Sequence, residues 1–459
     1  MRNRVRFIAS LMCGLALLAP FAAGWEHHPL ITEPILSTMP EVAGAAPVAA
    51  VPLEDFLLAH EAELAELLAE EEAWARSMWR FYAPRPEELA FEATGNEADV
   101  RARFFRAIRI NPNMKTPLYV SALAANSTPE TPLEPSEVTL HDQSDYLSVF
   151  NFEALQSGER VAPLDVVATA SNEPDYGMDT GLYENNDTAF GQDYGFGAQP
   201  FGNAALDYGT QAPFHMGFYH ESWIVFFFAP FLKECYPEHR IHLYKALSQF
   251  AFDQGEDYWG WRFMGWGLHY VADLSMPYHT TALPGYTPGR MLWVYFLDIL
   301  GWPQAKDNAV QLSSNRHMAL ERYQGTTMAA AWARGDMQTP PLAVLFEETG
   351  RPAYSNDFPR KRIAATSHAM SARADALIVR LMPSQFVNDP SVELSEVPAV
   401  DQIAARVESA HGAAGLEEID RLLADALEGF AVYGRSYARG ILVNTEVKAQ
   451  STRRVRARK

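Results

Sequence analysis

The densest group of side chains able to bind a metal lies within residues 266–280. His269 and Asp273 stand four residues apart near the end of a predicted apolar helix, so both side chains leave the same face. Pro277 cannot continue that helix, and the turn expected there would bring His279 back towards the carboxylate. Two imidazoles and a carboxylate are typical ligands of a hard-to-borderline metal ion. The segment therefore predicts a metal site, in which the two oxygens of Asp273 could bridge two ions.

Two further segments carry ligands of the same kind. His317 and Glu321 form a second pair at four-residue spacing within another predicted helix. Far upstream, residues 25–28, with the sequence WEHH, follow the expected cleavage point of a secretory signal peptide, residues 1–24. Arginines near the start, an apolar run and small residues at positions −3 and −1 support cleavage there. The mature chain would then begin with a tryptophan, with two histidines close behind it.

The order of these motifs resembles that of the zinc-dependent phospholipase C family, whose relatives include the S1/P1 nucleases. The shared pattern is a Trp followed by His, then an Asp and a His, then HxxxDxxxxxH, and finally HxxxE. The segment LHYVADLSMPYH is a close match, although the family usually has Gly at the position of Ala272 and Gln at that of Met276. Neither position supplies a ligand. The resemblance implies a fold of many helices, here with an enlarged N-terminal region.

The same resemblance implies about three zinc ions per chain, held by nitrogen and oxygen donors. The donors of Trp25 would be its free α-amino group and its carbonyl oxygen, and Asp273 would serve two ions. The implied ligand sets are Asp175, His215, His269 and Asp273 for one ion; His279, His317 and Glu321 for a second; and Trp25, His28 and Asp273 for a third.

Three of these ligands have competitors in the sequence. The aspartate ligand falls in residues 172–203, a stretch rich in Gly, Asp and Asn that predicts a long loop. The first histidine after this loop is followed closely by another, and the mature N-terminus also holds two histidines. The open choices are Asp175 or Asp179, His215 or His220, and His28 or His27.

The implied chemistry is zinc-dependent hydrolysis of a phosphodiester. Bound zinc lowers the pKa of a water molecule and neutralises phosphate oxygens, so that water can attack phosphorus in line. Asp175 is the candidate to assist deprotonation, although a pure ligand role is equally compatible. A phospholipase C acting on phospholipid head groups is preferred, because the nuclease relatives more often carry Asp where Glu321 stands. The alternatives are an S1/P1-type single-strand nuclease and a metal-binding protein without turnover.

Amphipathic helices dominate the rest of the sequence, and strand-like alternation is scarce, which predicts the all-α class. The strongest helical pattern covers residues 53–81, and further helices are expected at 240–273, 305–334 and 417–442. The apolar segment 223–232 is too short to span a bilayer. It predicts a buried helix, with insertion into a lipid interface as the alternative.

The motifs divide the chain into three parts. A signal peptide covers residues 1–24, a zinc-dependent phospholipase C-like catalytic domain covers 25–445, and a basic tail covers 446–459. The resemblance does not explain residues 40–170, which are predicted to be a helical insertion in the catalytic domain.

The signal peptide predicts a protein that works outside the cytoplasm, and the composition bears on its partners. The chain has a formal net charge of −20 and would lose three arginines with the signal peptide. Such an acidic protein repels nucleic acid at long range, so no stable nucleic-acid partner is expected. Cys235 alone would survive processing, which excludes an internal disulfide. The expected partner is a phospholipid or another phosphodiester, with peripheral membrane contact, and the expected location is secreted or periplasmic.

Overall fold

The residues that the computed structural model describes are 24–141, 148–204, 207–348, 350, 352–394, 397 and 402–456. The predicted signal peptide lies outside them, apart from Gly24. The described chain is mostly helical, in agreement with the predicted all-α class. Within these residues, none of the helices is long and apolar enough to cross a membrane.

The helices are numbered in sequence order. The α-helices of the described residues are α1 (Pro29–Ser37), α2 (Pro40–Ala43), α3 (Leu53–Ala59), α4 (Glu61–Met78), α5 (Val100–Ala107), α6 (Pro135–Val138), α7 (Pro163–Ala170), α8 (Ala189–Asp193), α9 (Asp207–Thr210), α10 (Ala212–His215), α11 (Trp223–Phe228), α12 (Pro237–Gln254), α13 (Asp257–Asp273), α14 (Pro277–Thr280), α15 (Pro288–Ile299), α16 (Gln304–Arg334), α17 (Pro340–Phe346), α18 (Ala365–Leu381), α19 (Ser384–Val387) and α20 (Ile403–Arg456). The shorter turns are 3₁₀-helices at Glu87–Leu89, Glu173–Tyr176 and Pro230–Lys233 and a π-helix at Pro359–Ala364.

The strands of the described residues form two antiparallel pairs. Strand β1 (Val48–Ala49) pairs with β4 (Arg160–Val161), and β2 (Tyr119–Leu123) pairs with β3 (Phe150–Ala154). All four lie in the region 40–170, so this region is not purely helical as predicted. Most of its buried apolar side chains belong to the largest hydrophobic cluster, which also contains the central helices.

Helix α13 lies at the centre of the molecule. Every residue from Tyr258 to Asp273 is buried, because α7, α12 and α20 pack around the helix. A helix that is largely apolar on all sides is favourable only inside a core. The helix predicted over 240–273 is divided at Gly255, whose φ of 84° ends α12. As predicted, the helix ends before Pro277, which begins a new short helix.

Close packing between α7 and α13 depends on Gly265. A Cβ atom there would lie 2.6 Å from the carbonyl oxygen of Val167 and from the Cβ of Ala170. Any side chain would force the two helices apart, so glycine lets α7 approach. The residues that follow α7, Ser171 and Asn172, are thereby brought beside the predicted metal ligands.

The other predicted helices are present with changed boundaries. Residues 53–81 fold as α3 and α4 rather than as one helix, since the backbone leaves helical geometry at His60. The helices expected at 305–334 and 417–442 are confirmed within α16 and α20. Helix α20 is interrupted at Gly412, where φ is 66° and ψ is −170°, and it reaches into the predicted basic tail.

The apolar segment 223–232 is not the buried helix that its sequence predicts. Its N-terminal part forms α11, which leaves Trp223 and Phe227 exposed. The opposite side of α11 packs against α15, where the Phe228 and Tyr295 rings stack with their centroids 5.9 Å apart. The hydrophobic residues of this segment are thus divided between the core and the surface.

Candidate metal centre

Eight of the nine predicted ligands lie in three buried groups that could each hold a metal ion. Within each group, the candidate ligand atoms all lie within 4.8 Å of one another. The groups found among the described residues are His28, His269 and Asp273; Asp175, His215 and His269; and His279, His317 and Glu321.

Asp273, the last residue of α13, faces the histidines of the first two groups. Its Oδ1 lies 3.4 Å from His28 Nε2, and its Oδ2 lies 2.8 Å from His215 Nδ1 and 3.3 Å from His269 Nε2. The carboxylate is fully buried. Because its two oxygens face different histidines, Asp273 has the geometry of a bridging ligand.

Asp175 lies beside the same histidines, in the 3₁₀ turn Glu173–Tyr176. Its Oδ1 lies 3.6 Å from His269 Nε2, and its Oδ2 lies 3.8 Å from His28 Nε2. Neither oxygen has a hydrogen-bond partner within the described part of the chain, although the residue is only 6% exposed. Buried carboxylate oxygens without partners are unfavourable, and a cation between these groups would satisfy them.

The third group is formed by α14 and α16. His317 Nε2 lies 2.6 Å from Oε1 of Glu321, which is one turn further along α16. His279 Nε2 lies 3.8 Å from the same oxygen, and the rings of the two histidines have centroids 4.9 Å apart. The break at Pro277 starts α14 in a new direction, and this places His279 against α16.

Backbone carbonyls determine the tautomers of two histidines. His269 Nδ1 lies 2.9 Å from the carbonyl oxygen of Ser171, and His279 Nδ1 lies 3.1 Å from that of His215. Since a carbonyl oxygen can only accept, both rings donate from Nδ1 and keep the Nε2 lone pair for a metal. The Nε2 atoms are the ones that face the carboxylates.

Asp179 contacts His215 from the side opposite Asp273. His215 Nε2 lies 3.5 Å from Asp179 Oδ2. Asp179 also accepts a hydrogen bond from Arg240 at 2.6 Å and another from the Tyr270 hydroxyl. A carboxylate held in this way orients the imidazole, so that Nδ1 of His215 points to the first two groups.

The two other competing residues lie outside the three groups. His220 Nε2 lies 2.7 Å from the carbonyl oxygen of Arg360. The ring of His27 packs edge-on against Phe150, with centroids 5.4 Å apart. A φ of 60° at His27 turns the backbone so that His28, the next residue, enters the site.

The electrostatics of the first two groups depend on Asp273 and His215. Burial alone would raise the pKa of Asp273, but the imidazoles of His269, His215 and His28 lower it well below its usual range. Burial lowers the pKa of His215, but hydrogen bonds with Asp179 and Asp273 outweigh burial and raise its pKa to about 10. A protonated His215 therefore supplies the positive charge that Asp273 needs when no cation is bound.

In the third group the pKa shifts favour neutral rather than charged side chains. Burial, reinforced by the carboxylates of Glu26 and Asp273, raises the pKa of Glu321 well above its usual range. Burial, together with His279, lowers the pKa of His317 well below its usual range. Both shifts favour the neutral forms of these side chains, whereas a divalent cation would favour the ionised form of Glu321.

Trp25, the ninth predicted ligand, has its backbone next to Asp273. The preceding Gly24 packs so closely on the Asp273 carboxylate that a Cβ atom at Gly24 would overlap it. The indole of Trp25 is buried and donates a hydrogen bond to Ser275 Oγ at 2.8 Å. The indole thus anchors Trp25, and the residue before it lies against Asp273.

Sequence reasoning missed residues that orient the ligands. Asn172 accepts a hydrogen bond from the backbone N–H of His28 at 3.0 Å and so fixes the N-terminal segment. Arg240, which holds Asp179, is fully buried. No pattern indicated Arg240, because arginine is normally exposed unless it is paired. Asp179 was predicted only as an alternative ligand to Asp175, not as a residue that orients His215.

Comparisons of the chain with protein-family models, with curated proteins and with solved structures gave no match. The site is therefore characterised by its own geometry. Its ligand atoms are imidazole nitrogens and carboxylate oxygens, and this donor set suits a borderline or hard divalent cation.

Proposed function

We propose that this protein is a zinc-dependent phosphodiester hydrolase that acts as a phospholipase C on phospholipid head groups. The observation that carries the proposal is the convergence of eight buried His, Asp and Glu side chains from distant segments into three adjoining groups. The resemblance in motif order is the basis for assigning zinc-dependent phosphodiester hydrolysis to these groups. The buried oxygens of Asp175 and Oδ1 of Asp273, which have no hydrogen-bond partner in the described chain, fit a site that binds cations.

Zinc suits this donor set because catalytic zinc sites use nitrogen and oxygen ligands and leave a position open for water. Bound zinc would lower the pKa of water and neutralise charge on the phosphate group. The residues that would hold it are Trp25, His28, Asp175, His215, His269, Asp273, His279, His317 and Glu321.

The side chains of this protein would contribute orientation and proton transfer. Asp175 is the best placed carboxylate to accept a proton, since it is the slightly exposed one in the first two groups and neither of its oxygens has a hydrogen-bond partner in the described chain. His269 and His279 are held through Nδ1, so their Nε2 atoms keep fixed directions. Asp179 and Arg240 would act as positioning residues for His215.

We expect the protein, purified without residues 1–24, to contain about three zinc ions per chain by elemental analysis. Chelation should lower the thermal unfolding midpoint by more than about 5 °C, because ligands from distant segments couple metal binding to folding. Readdition of zinc should restore the midpoint, and readdition of magnesium serves as the control. Active protein that contains no transition metal would contradict the proposal.

The second candidate function is a single-strand nuclease, and a direct comparison separates the two. We expect phosphatidylcholine vesicles to lose their head groups and single-stranded DNA to remain intact, because Glu321 matches the phospholipase form of the HxxxE pair and the protein is strongly acidic. The rates would be measured side by side at equal enzyme concentration. Rapid DNA digestion with intact lipid would instead establish the nuclease.

A third reading is a protein that binds metal without turnover. A chromogenic phosphodiester distinguishes it, since such a protein would contain zinc and hydrolyse neither the model compound nor lipid.

The proposed activity is extracellular or periplasmic, with residues 1–24 acting as a cleaved signal peptide. Sequencing of the N-terminus of protein exported by a bacterial host checks that cleavage.

A further inference from the structure

Two neighbouring helices present an apolar surface to solvent. Helix α11 exposes Trp223 by 76% and Phe227 by 71%. Helix α15 and the turn after it expose further large side chains, among them Trp293 by 59% and Trp302 by 62%. We call this surface the aromatic face, and its residues are Trp223, Phe227, Trp293, Phe296, Ile299, Leu300 and Trp302.

The aromatic face is the outer side of elements whose inner side is packed. Val225 of α11 and Met291 and Tyr295 of α15 are buried in one hydrophobic cluster. The face is therefore not a displaced piece of core, because each helix already has its own core-facing stripe. A soluble protein rarely leaves so many large apolar side chains together at its surface unless they contact something.

The aromatic face carries almost no free charge. Between Met291 and Pro303 the only charged residue is Asp298, and residues 222–232 contain none. Asp298 is paired with Lys306, at 3.1 Å, and both side chains are mostly buried. On a protein of net charge −20, this uncharged area would enter an apolar medium without burying an unpaired charge.

Two cations lie near α11, one of the two helices that carry the aromatic face. Lys233 Nζ lies 4.9 Å from the centre of the Phe226 ring on α11 and 5.5 Å from that of Phe81. The guanidinium of Arg80 lies 5.5 Å from the Phe81 ring, and Arg80 and Phe81 are both exposed. Amphipathic cations beside aromatic side chains are the combination found at the level of lipid head groups.

We infer that the aromatic face docks the protein on a phospholipid bilayer. Its aromatic and aliphatic side chains would enter the interfacial region, while Lys233 and Arg80 would contact lipid phosphates. A second copy of this chain fits less well, because a broad uncharged apolar surface with cations near it matches a bilayer, in which charged head groups border an apolar interior.

The buried cluster beneath the aromatic face extends to chain neighbours of the candidate metal ligands. The buried cluster beneath the face includes Met216, the neighbour of His215, and Leu283, four residues after His279. The choice of phospholipid as the ligand rests on the proposed function, but binding itself requires no hydrolysis.

The test measures vesicle binding and lipid breakdown separately. The protein without residues 1–24 is mixed with vesicles of phosphatidylcholine and phosphatidylglycerol, and the bound fraction is determined by co-sedimentation. We expect the unsubstituted protein to bind, and Trp223→Glu combined with Trp293→Glu to lower the partition coefficient by at least about tenfold. Lys233→Gln should weaken binding to these vesicles more than binding to pure phosphatidylcholine.

Val443→Glu is the matched control, since Val443 is an exposed apolar residue on α20, outside the aromatic face. It should bind vesicles like the unsubstituted protein. Metal content and the unfolding midpoint show whether each variant is folded. Vesicle binding without lipid breakdown would leave docking intact and reject the proposed activity. Equal binding by the double variant would overturn the docking inference, as would a dimer that the double variant dissociates in the absence of lipid.

Discussion

Replacement of Asp273 by asparagine is expected to abolish hydrolysis, with a loss of more than about 100-fold, and to reduce the zinc content of the protein. The carboxylate is fully buried. Its oxygens lie 3.4 Å from a ring nitrogen of His28, 2.8 Å from one of His215 and 3.3 Å from one of His269. Asparagine keeps the size of the side chain but removes its charge and one of its two acceptor oxygens. It can therefore neither bridge two ions nor balance their charge.

The measurements for this variant are zinc per chain, hydrolysis of phosphatidylcholine and of a chromogenic phosphodiester, and the thermal midpoint. Asp257→Asn is the control, because Asp257 lies at the other end of the same helix and is exposed. It should keep its metal and its activity. If Asp273→Asn also kept full zinc content and full activity, Asp273 would have no role as a bridging ligand.

A single extra glycine before Trp25 should remove one zinc ion and most of the activity. An α-amino group has a pKa near 8, so a metal can displace its proton at neutral pH, whereas an amide nitrogen cannot bind in this way. The structure places Trp25 at the site, since the residue before it, Gly24, packs on the carboxylate of Asp273. The extension would replace the amine by an amide, and a glycine adds no Cβ atom that would overlap the Asp273 carboxylate.

The competing interpretation is that Trp25 only anchors the N-terminus through its indole. That indole is buried and bonded to Ser275, so Trp25→Ala would be harmful under either interpretation. The extended protein separates them, because it keeps the indole and loses only the amine. Full zinc content and activity in the extended protein would support simple anchoring and exclude the amine as a ligand.

The sequence by itself determined the local part of the site. In an α-helix, residues four apart share a face, so the spacing of His269 with Asp273 and of His317 with Glu321 was enough to pair them. The position of Pro277 was enough to predict the end of the central helix. These features depend on backbone geometry over a few residues, and the structure contains them.

The tertiary structure decided between equivalent residues. His27 and His28 are adjacent in sequence, and only the backbone turn at His27 directs one ring into the site. Asp175 and Asp179 both lie at the site, but Arg240, on α12, binds Asp179 and leaves Asp175 among the histidines. Such choices depend on segments far apart in the chain, and no local spacing encodes them.

The exposure of side chains on α11 also could not be predicted from the sequence. Its sequence WIVFFF predicts burial, because hydrophobic residues usually gain stability inside the core. Hydrophobicity measures the tendency of a side chain to leave water. The packing of neighbouring helices determines which side chains are actually buried. Val225 is buried in the core, whereas Trp223 is exposed. The sequence therefore determined the two His/carboxylate pairs and the helical class, and the long-range packing decided which residues meet at the site and which remain at the surface.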